Sequence, residues 1–558
     1  MMRITPVRTL LTLLLVSLIL WRAQAQTDPR YLVLFTDKAN SSYSLEAPAE
    51  FLSEASISRR QKQDIPLHDS DLPVSEAYLD GVRSTGAKVI ATTRWLNGAL
   101  VEATSNQLAA IKTLSFFKEV VLNNPVAMGQ EPGIARIASN TSSAATLDEI
   151  DYGKMRTQTL LLGADYFHQK GFMGQGMYIA VIDNGFSRID QLSYFSQLFQ
   201  ENRILDTYDF IQRESNVYDK DSHGTNVLST IAAYEPGLMV GIAPMANFAL
   251  YRTENDAIES PYEEVTWLLA AERADSMGVD IISSSLGYSF FDGAFNTPDY
   301  NYVYQDMDGH TTIVSKAARW ATRKGILVVN SAGNEGNSLW KYVVAPADVD
   351  SVLSVGATST TRTYASFSSQ GPNASGQMKP DLSAVGLGVY VGSNTGTGTA
   401  IASQGTSFSC PQIAGLSALV WQAYPFLKAQ ELISVLKNSG HLAEKPDNFL
   451  GYGVPDLHVV EQLIADSYGP LATEPTQGLS MMVAPNPVGS VLALKVPASF
   501  IGSIANADII QANGISIQRT VISLNATTYL PIAELASGVY LLNVQIGHQQ
   551  QVIRFVKL

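Results

Sequence analysis

Between residues 151 and 466, short and almost wholly apolar runs alternate with helix-like segments, which restricts the chain to few folds. Residues 178–182, 247–251, 279–285, 326–330 and 352–356 read as strands. Residues 263–277 have helical spacing, with Val265, Leu268, Leu269 and Ala271 apolar, and 313–324 and 407–424 read as further helices. Strands that are apolar on both sides have no solvated face. They predict an α/β domain whose parallel sheet is covered by helices on both faces, in three layers.

Three short motifs sit at the ends of these elements. Asp183, in Val181-Ile182-Asp183-Asn184-Gly185, stands just past a strand, where open α/β sheets place their sites. His223, in His223-Gly224-Thr225-Asn226-Val227, begins a helix that Asp221 and Ser222 are placed to cap. Ser407, in Gly405-Thr406-Ser407-Phe408-Ser409-Cys410-Pro411, lies on a glycine-led turn, with Pro411 in what reads as the first helical turn.

A serine hydroxyl is a poor nucleophile at neutral pH and needs a base. The intrinsic pKa of histidine suits that task, and a carboxylate fixes the imidazole's tautomer and stabilises its charged form. Taken singly, the three residues read as a strand-end cap, a surface histidine and an N-cap. Together, in fitting contexts, they read as acid, base and nucleophile. Asn334, in Ser331-Ala332-Gly333-Asn334-Glu335-Gly336, follows a strand, and its amide is a candidate oxyanion donor, with a turn asparagine as the ordinary alternative. Ser285, Leu286 and Gly287 end another strand and are candidates to pair with an extended peptide.

The 558 residues allow more than one domain. Residues 1–25 have the plan of a secretory signal peptide: Arg3 and Arg8, an apolar run over 9–21, then Ala23-Gln24-Ala25. That run is shorter than the roughly 20 apolar residues a membrane span needs, so no integral membrane segment is expected after signal removal. Residues 26–125 mix strands (31–35, 88–92, 98–103, 118–122) and helices (76–85, 106–114) as a small α+β unit. Residues 126–150 and 467–480 read as linkers, the first a zone for proteolytic nicking. Residues 481–558 carry short alternating segments, such as 491–496 and 538–544, that predict a β-sandwich. The net charge of −14 argues against nucleic acid as a partner. The lone Cys410 precludes an intrachain disulfide and reads as a packing residue.

At these motifs the chain resembles the subtilase (subtilisin-like serine protease) family over about residues 155–460, in which the order Asp, His, Ser is that of subtilisin. Supporting matches are Gly241-Ile242-Ala243-Pro244, Ser285-Leu286-Gly287, Ala332-Gly333-Asn334 and Lys379-Pro380-Asp381-Leu382. The resemblance implies an Asp183–His223–Ser407 triad, Asn334 as oxyanion donor and Ser285–Gly287 as one wall of the cleft. The substrates would be proteins or peptides, with no cofactor in the chemistry. Asn184 stands where the family usually has Ser or Thr, and Phe408 where Met is more common. Residues 288–312 look like an insertion rich in aromatics that shapes or covers the groove. Structural calcium is common in the family. Asp306 and Asp308 invite that reading, but His310 interrupts the EF-hand spacing, and no calcium loop is located.

The unit at 26–125 is similar to an inhibitory propeptide, which would make it an intramolecular partner and 126–150 the zone of self-cleavage. The tail resembles the Bacteroidetes type IX secretion sorting domain through Ala484-Pro485-Asn486-Pro487, Leu535, Gly538-Val539-Tyr540 and residues 552–557. That resemblance implies a partner in the type IX machinery and a secreted or cell-surface location. A catalytically inactive surface-binding protein on the same scaffold is the alternative. An esterase is disfavoured because the Gly-x-Ser-x-Gly elbow is absent around Ser407.

Overall fold

The computed structural model describes residues 28–39, 41–128, 150–255, 257–468, 481–483, 488–511, 516–546 and 549–557. The expected signal segment, most of both linkers and Ala484-Pro485-Asn486-Pro487 lie outside the described residues. The chain divides between Ile464 and Ala465 into two compact units.

The larger unit is built on seven strands: β1 (Tyr178–Asp183), β2 (Ile204–Asp209), β3 (Asn247–Arg252), β4 (Ile281–Ser284), β5 (Leu327–Ser331), β6 (Leu353–Thr358) and β7 (Leu382–Val385). Their order is β7–β6–β5–β4–β1–β3–β2, and every neighbouring pair is parallel. The order reverses between β1 and β4, the switch point at which such sheets open a crevice beyond their carboxyl ends.

Alternate residues supply the two layers. Ile179 and Val181 of β1 face α1 (His223–Ala232) and α4 (Thr406–Ala423), through Val227, Ile231, Ile413 and Leu416. Ala180 and Ile182 face α2 (Pro261–Met277) and α3 (Ile313–Arg323), through Trp267, Leu268, Val314 and Ala317. This is the three-layer α/β arrangement the apolar runs predict.

The strand expected over 279–285 is shorter because Gly278, at φ 87°, caps α2 and Val279 N–H closes that cap on Ala274 O at 3.0 Å. Residues 288–312 depart further from expectation. Phe291, Phe295, Tyr300 and Tyr302 are buried against α2 and α3, so most of the insertion's aromatics complete a core and do not cover a groove. Asp306 and Asp308 accept backbone N–H groups of Val303, His310 and Thr311, as local caps do.

The N-terminal residues form a four-stranded antiparallel sheet in the order Lys88–Thr93, Gly98–Glu102, Arg30–Phe35, Phe117–Val120. Tyr31, Val33 and Phe35 pack on helices Glu76–Ser84 and Ser105–Ile111. Leu32 and Leu34 point the other way and pack with Tyr262 and Val265 of α2 and Ile313 of α3. Both faces of this small sheet are therefore covered, the second by the larger domain.

The contact also holds charge. Asp275 of α2 is fully buried and pairs with Arg59, with Arg60 at 2.8 Å and with Arg94 at 2.6 Å. Burial alone would raise its pKa, but the three guanidinium groups hold the carboxyl far below the ordinary carboxylate range. Arg60 also meets Asp71 at 2.8 Å, and Asp71 meets Lys324 at 3.0 Å.

In the smaller unit, Met482–Val483, Val491–Lys495 and Thr527–Pro531 form one antiparallel sheet. Ser516–Ser523, Ile504–Gln511, Gly538–Ile546 and Gln549–Lys557 form another. Leu492, Leu494 and Leu530 of the first share a core with Ala507, Leu542 and Phe555 of the second, giving the expected β-sandwich.

Removing Asp275 strips the buried Arg59 of its ion-pair partner, a change that costs ~3–5 kcal/mol. In a Ser407→Ala chain, Asp275→Ala is expected to lower the urea concentration at which residues 28–128 become trypsin-sensitive. An unshifted midpoint would contradict the weight given to this cluster.

Candidate active site

Asp183 ends β1 and is fully buried. His223 begins α1, and its Nδ1 lies 2.8 Å from Asp183 Oδ1, which also accepts the Asn184 N–H at 2.9 Å. An ionised carboxylate only accepts, so Nδ1 carries the proton and Nε2 of the neutral ring is left basic. Gly224 permits the approach, since a Cβ there would lie 3.0 Å from Asp183 Cβ and would collide with Gly185 O. Burial pulls the imidazole pKa down. The Asp183 charge and hydrogen bond, with the Asp221 charge, more than offset this and set it above the usual 6.5.

The expected caps of α1 are not made. Ser222 is the N-cap residue but its side chain caps nothing, and Asp221 Oδ1 accepts the Ser222 N–H at 2.6 Å. With a helix-like backbone (φ −110°, ψ −6°), Ser222 lacks the extended conformation of a side-chain cap.

Ser407 is the second residue of α4. The helix follows Gly405 at φ 144°, ψ 150°, a conformation open in practice only to glycine. Pro411 sits in the second turn, not the first. It lacks the N–H that would reach Ser407 O four residues earlier. The Ser285 hydroxyl donates to that carbonyl instead, at 2.8 Å, and Ser407 Oγ lies 3.4 Å from Ser285 O. The end of β4 and the start of α4 are thereby tied reciprocally.

Among the described residues no hydrogen bond joins Ser407 to His223. The imidazole lies beside the next residue, Phe408, with ring centroids 5.6 Å apart. Such contacts are commonly long without substrate.

Asn334 follows β5 and is exposed. Its Oδ1 accepts from Thr406 N–H at 3.0 Å and Thr406 Oγ1 at 3.1 Å. The backbone N–H fixes which end of the amide is oxygen and leaves Nδ2 as a donor. Sequence reasoning missed Thr406 in this role, although it lies inside the Gly405–Pro411 motif.

Leu286 O accepts from Asn330 Nδ2 at 2.9 Å, and Ser285 O faces Ser407 Oγ at 3.4 Å. Cys410 is buried against Ser284 O and Val329 O, and burial pushes its thiol pKa up.

Sequence reasoning also missed a carboxylate group nearby. Glu254, Glu259 and Glu263 bring one oxygen each within 4.8 Å of one another. Thr253, next to Glu254, donates its N–H to Asp183 O at 3.0 Å, and Tyr288 OH donates to Glu254. Burial first, then mutual repulsion, pushes Glu263 up to about 11 and Glu254 well above its usual value.

Residues 174–453 match the Subtilase family profile, about half the chain, with the carboxylate–imidazole pair and the serine turn inside the matched span. The chain belongs to the subtilase family. Residues 30–138 match the Peptidase S8 propeptide domain of Bacteroidota, and residues 482–558 a secretion system C-terminal sorting domain. Subtilisin DY of Bacillus licheniformis is 27% identical over 281 residues, covering 50% of this chain and 89% of its own. Subtilisin E of Bacillus subtilis is 28% identical over 300 residues, covering 53% and 67%. Alkaline elastase YaB of a Bacillus strain is 29% identical over 321 residues, covering 56% and 70%. This subtilase thus carries a family propeptide domain at its N-terminal end. Its type IX sorting domain addresses it across the outer membrane, to the cell surface or the medium.

The tie between β4 and α4 gives a direct test. Ser285→Ala leaves the buried Ser407 carbonyl without a partner and is expected to cost ~1–3 kcal/mol of stability. Pro411→Ala returns an N–H four residues on and should recover part of that loss. Purely additive losses in urea unfolding of the double variant would contradict the account.

Proposed function

We propose that the protein is a secreted serine endopeptidase made as a self-processing zymogen. The observation that carries the reading is the buried Asp183 carboxylate holding His223 Nδ1–H at 2.8 Å, beside the first turn of the helix that bears Ser407. His223 Nε2 takes the Ser407 proton as Oγ attacks a peptide carbonyl. Asp183 holds the ring and stabilises its charged form.

The oxyanion meets Asn334 Nδ2 and the Ser407 N–H, which lies in a first helical turn where no helical carbonyl precedes it. His223 then gives its proton to the leaving amine, and water hydrolyses the acyl-enzyme. The chain's own side chains supply every proton transfer. The substrate is an extended peptide that pairs with Ser285 and Gly287. Residues 26–125 act as an intramolecular inhibitor, and cleavage within 126–150 matures the chain. The sorting domain at 481–558 engages the type IX machinery.

Ser407→Ala is expected to stay full length and to leave peptide substrates uncut, where the wild type processes itself within 126–150. Asp183→Asn should lower kcat by ~10⁴. Asn334→Ala should lower it by ~10²–10³, the magnitude found for such a donor in subtilisin. A Ser407→Ala chain that retains full peptidase activity would sink the mechanism. A folded wild type inert to all peptides, even after processing in trans, would favour the binding-protein alternative.

The base works as neutral imidazole. Because its pKa is set above 6.5, kcat/KM should be low in acid and rise through an apparent pKa above that value. Asp221→Asn removes one raising charge and should move the midpoint down. A midpoint unmoved or higher would contradict the assignment.

A further inference from the structure

Asp183, Arg252 and Asp209 end three neighbouring strands, β1, β3 and β2, and stand in register with one another. Neighbours in register share a face of the sheet, so this row lies on the side that carries α1 and His223. Two fully buried carboxylates thus flank one buried guanidinium at the carboxyl edge.

The guanidinium is held at two points. Its Nη1 donates to Asp209 Oδ2 at 2.9 Å, and its Nε donates to Asn184 O at 2.8 Å. Asp209 is itself anchored, because its other oxygen accepts the N–H groups of Ile211 and Gln212 at 2.8 and 2.9 Å. Arg252 therefore ties a fixed point on β2 to the Asn184–Gly185 peptide, the first one past Asp183 and its neighbour.

That peptide bears on the histidine. Gly185, at φ 149°, lies so close to the histidine segment that a Cβ on it would sit 2.6 Å from Asp221 N. A Cβ on Gly224 would in turn sit 2.4 Å from Gly185 O. Ser187 N–H donates to Asp221 O at 2.9 Å, and Thr225 Oγ1 donates to Ser187 O at 2.9 Å. Residues 185–187 and 221–225 interlock, so a rotation of the Asn184–Gly185 peptide displaces Gly224 and the imidazole beside it.

Stability alone does not call for this arginine. A buried ion pair can often be exchanged for apolar residues of similar volume without loss. The bond to Asn184 O is the part that no apolar side chain can make.

We infer that Arg252 is a positioning residue for the acid–base pair: anchored by Asp209, it sets the Asn184–Gly185 peptide so that His223 Nδ1 meets Asp183 at hydrogen-bond distance. It acts through Asn184 and not on the substrate. This rests on the serine-protease reading above.

The test uses the full chain after processing, in trans where needed, as Arg252→Met, the double variant Arg252→Met/Asp209→Asn, and Arg252→Lys. Arg252→Met strands the buried Asp209 charge and should unfold at lower urea. The double variant removes that charge and should recover most of the lost stability. It should still lower kcat on a peptide substrate by ~10²-fold at unchanged KM, the cost of a slightly misplaced catalytic group. In the proton NMR spectrum the low-field Nδ1–H signal of His223, identified by its loss in His223→Ala, should shift. Lysine ends in one nitrogen and cannot copy both bonds, so Arg252→Lys should fall between wild type and the double variant on both readouts.

A folded double variant with wild-type kcat, or with an unmoved His223 signal, overturns the inference. If that signal exchanges too fast to be seen in the wild type, kcat decides alone. If neither Arg252→Met chain folds, Arg252→Lys decides, and wild-type behaviour there overturns the inference. A wild type that neither labels with a fluorophosphonate nor cuts any peptide removes the serine-protease reading, a distinct failure.

Discussion

One missing hydrogen bond organises the edge that carries Ser407. Pro411 cannot donate to Ser407 O, and the Ser285 hydroxyl takes that place at 2.8 Å. An unpartnered buried carbonyl is costly, so the end of β4 and the start of α4 are locked to each other. Asn334 is then placed from the next strand by Thr406, one residue before the serine. Asp183 comes from the end of β1, immediately across the switch point from β4, and meets His223 from the start of α1. These five segments, distant in sequence, meet at one edge because a parallel sheet opens its crevice there.

The same economy governs the N-terminal unit. Its central strand is apolar at every position from Tyr31 to Phe35, which a four-stranded sheet with helices on one face does not itself require. The extra apolar positions, Leu32 and Leu34, rest on α2 and α3. Asp275, buried among three arginines, adds a charged lock at the same contact, out of reach of salt screening. Release of this unit has to expose an apolar face and separate a buried charge cluster.

Much of this was legible in the sequence for identifiable reasons. Strands apolar on both faces announced the covered parallel sheet, and Asp183, His223, Ser407 and Asn334 each stand at an element end that their motifs mark. What was illegible depended on contacts between distant segments. Pro411 was read into the first turn because nothing local shows where α4 begins. Ser285 gave no sign that its hydroxyl serves Ser407 O. The aromatics of 288–312 resemble a groove lining in composition, yet Tyr302 and Phe291 complete a core whose other half comes from α2 and α3. Asp221 and Ser222 have the composition of a cap without the backbone for it.

The central claim is that Ser407 is a nucleophile activated by the Asp183-held His223. The most direct measurement is the site and pH dependence of covalent modification by a fluorophosphonate, read by mass spectrometry of the digested protein. The account predicts a single adduct on the peptide containing Ser407, formed at a rate that rises as a group with a pKa above 6.5 loses its proton. A folded, processed chain that forms no adduct, or forms it elsewhere, would contradict the account.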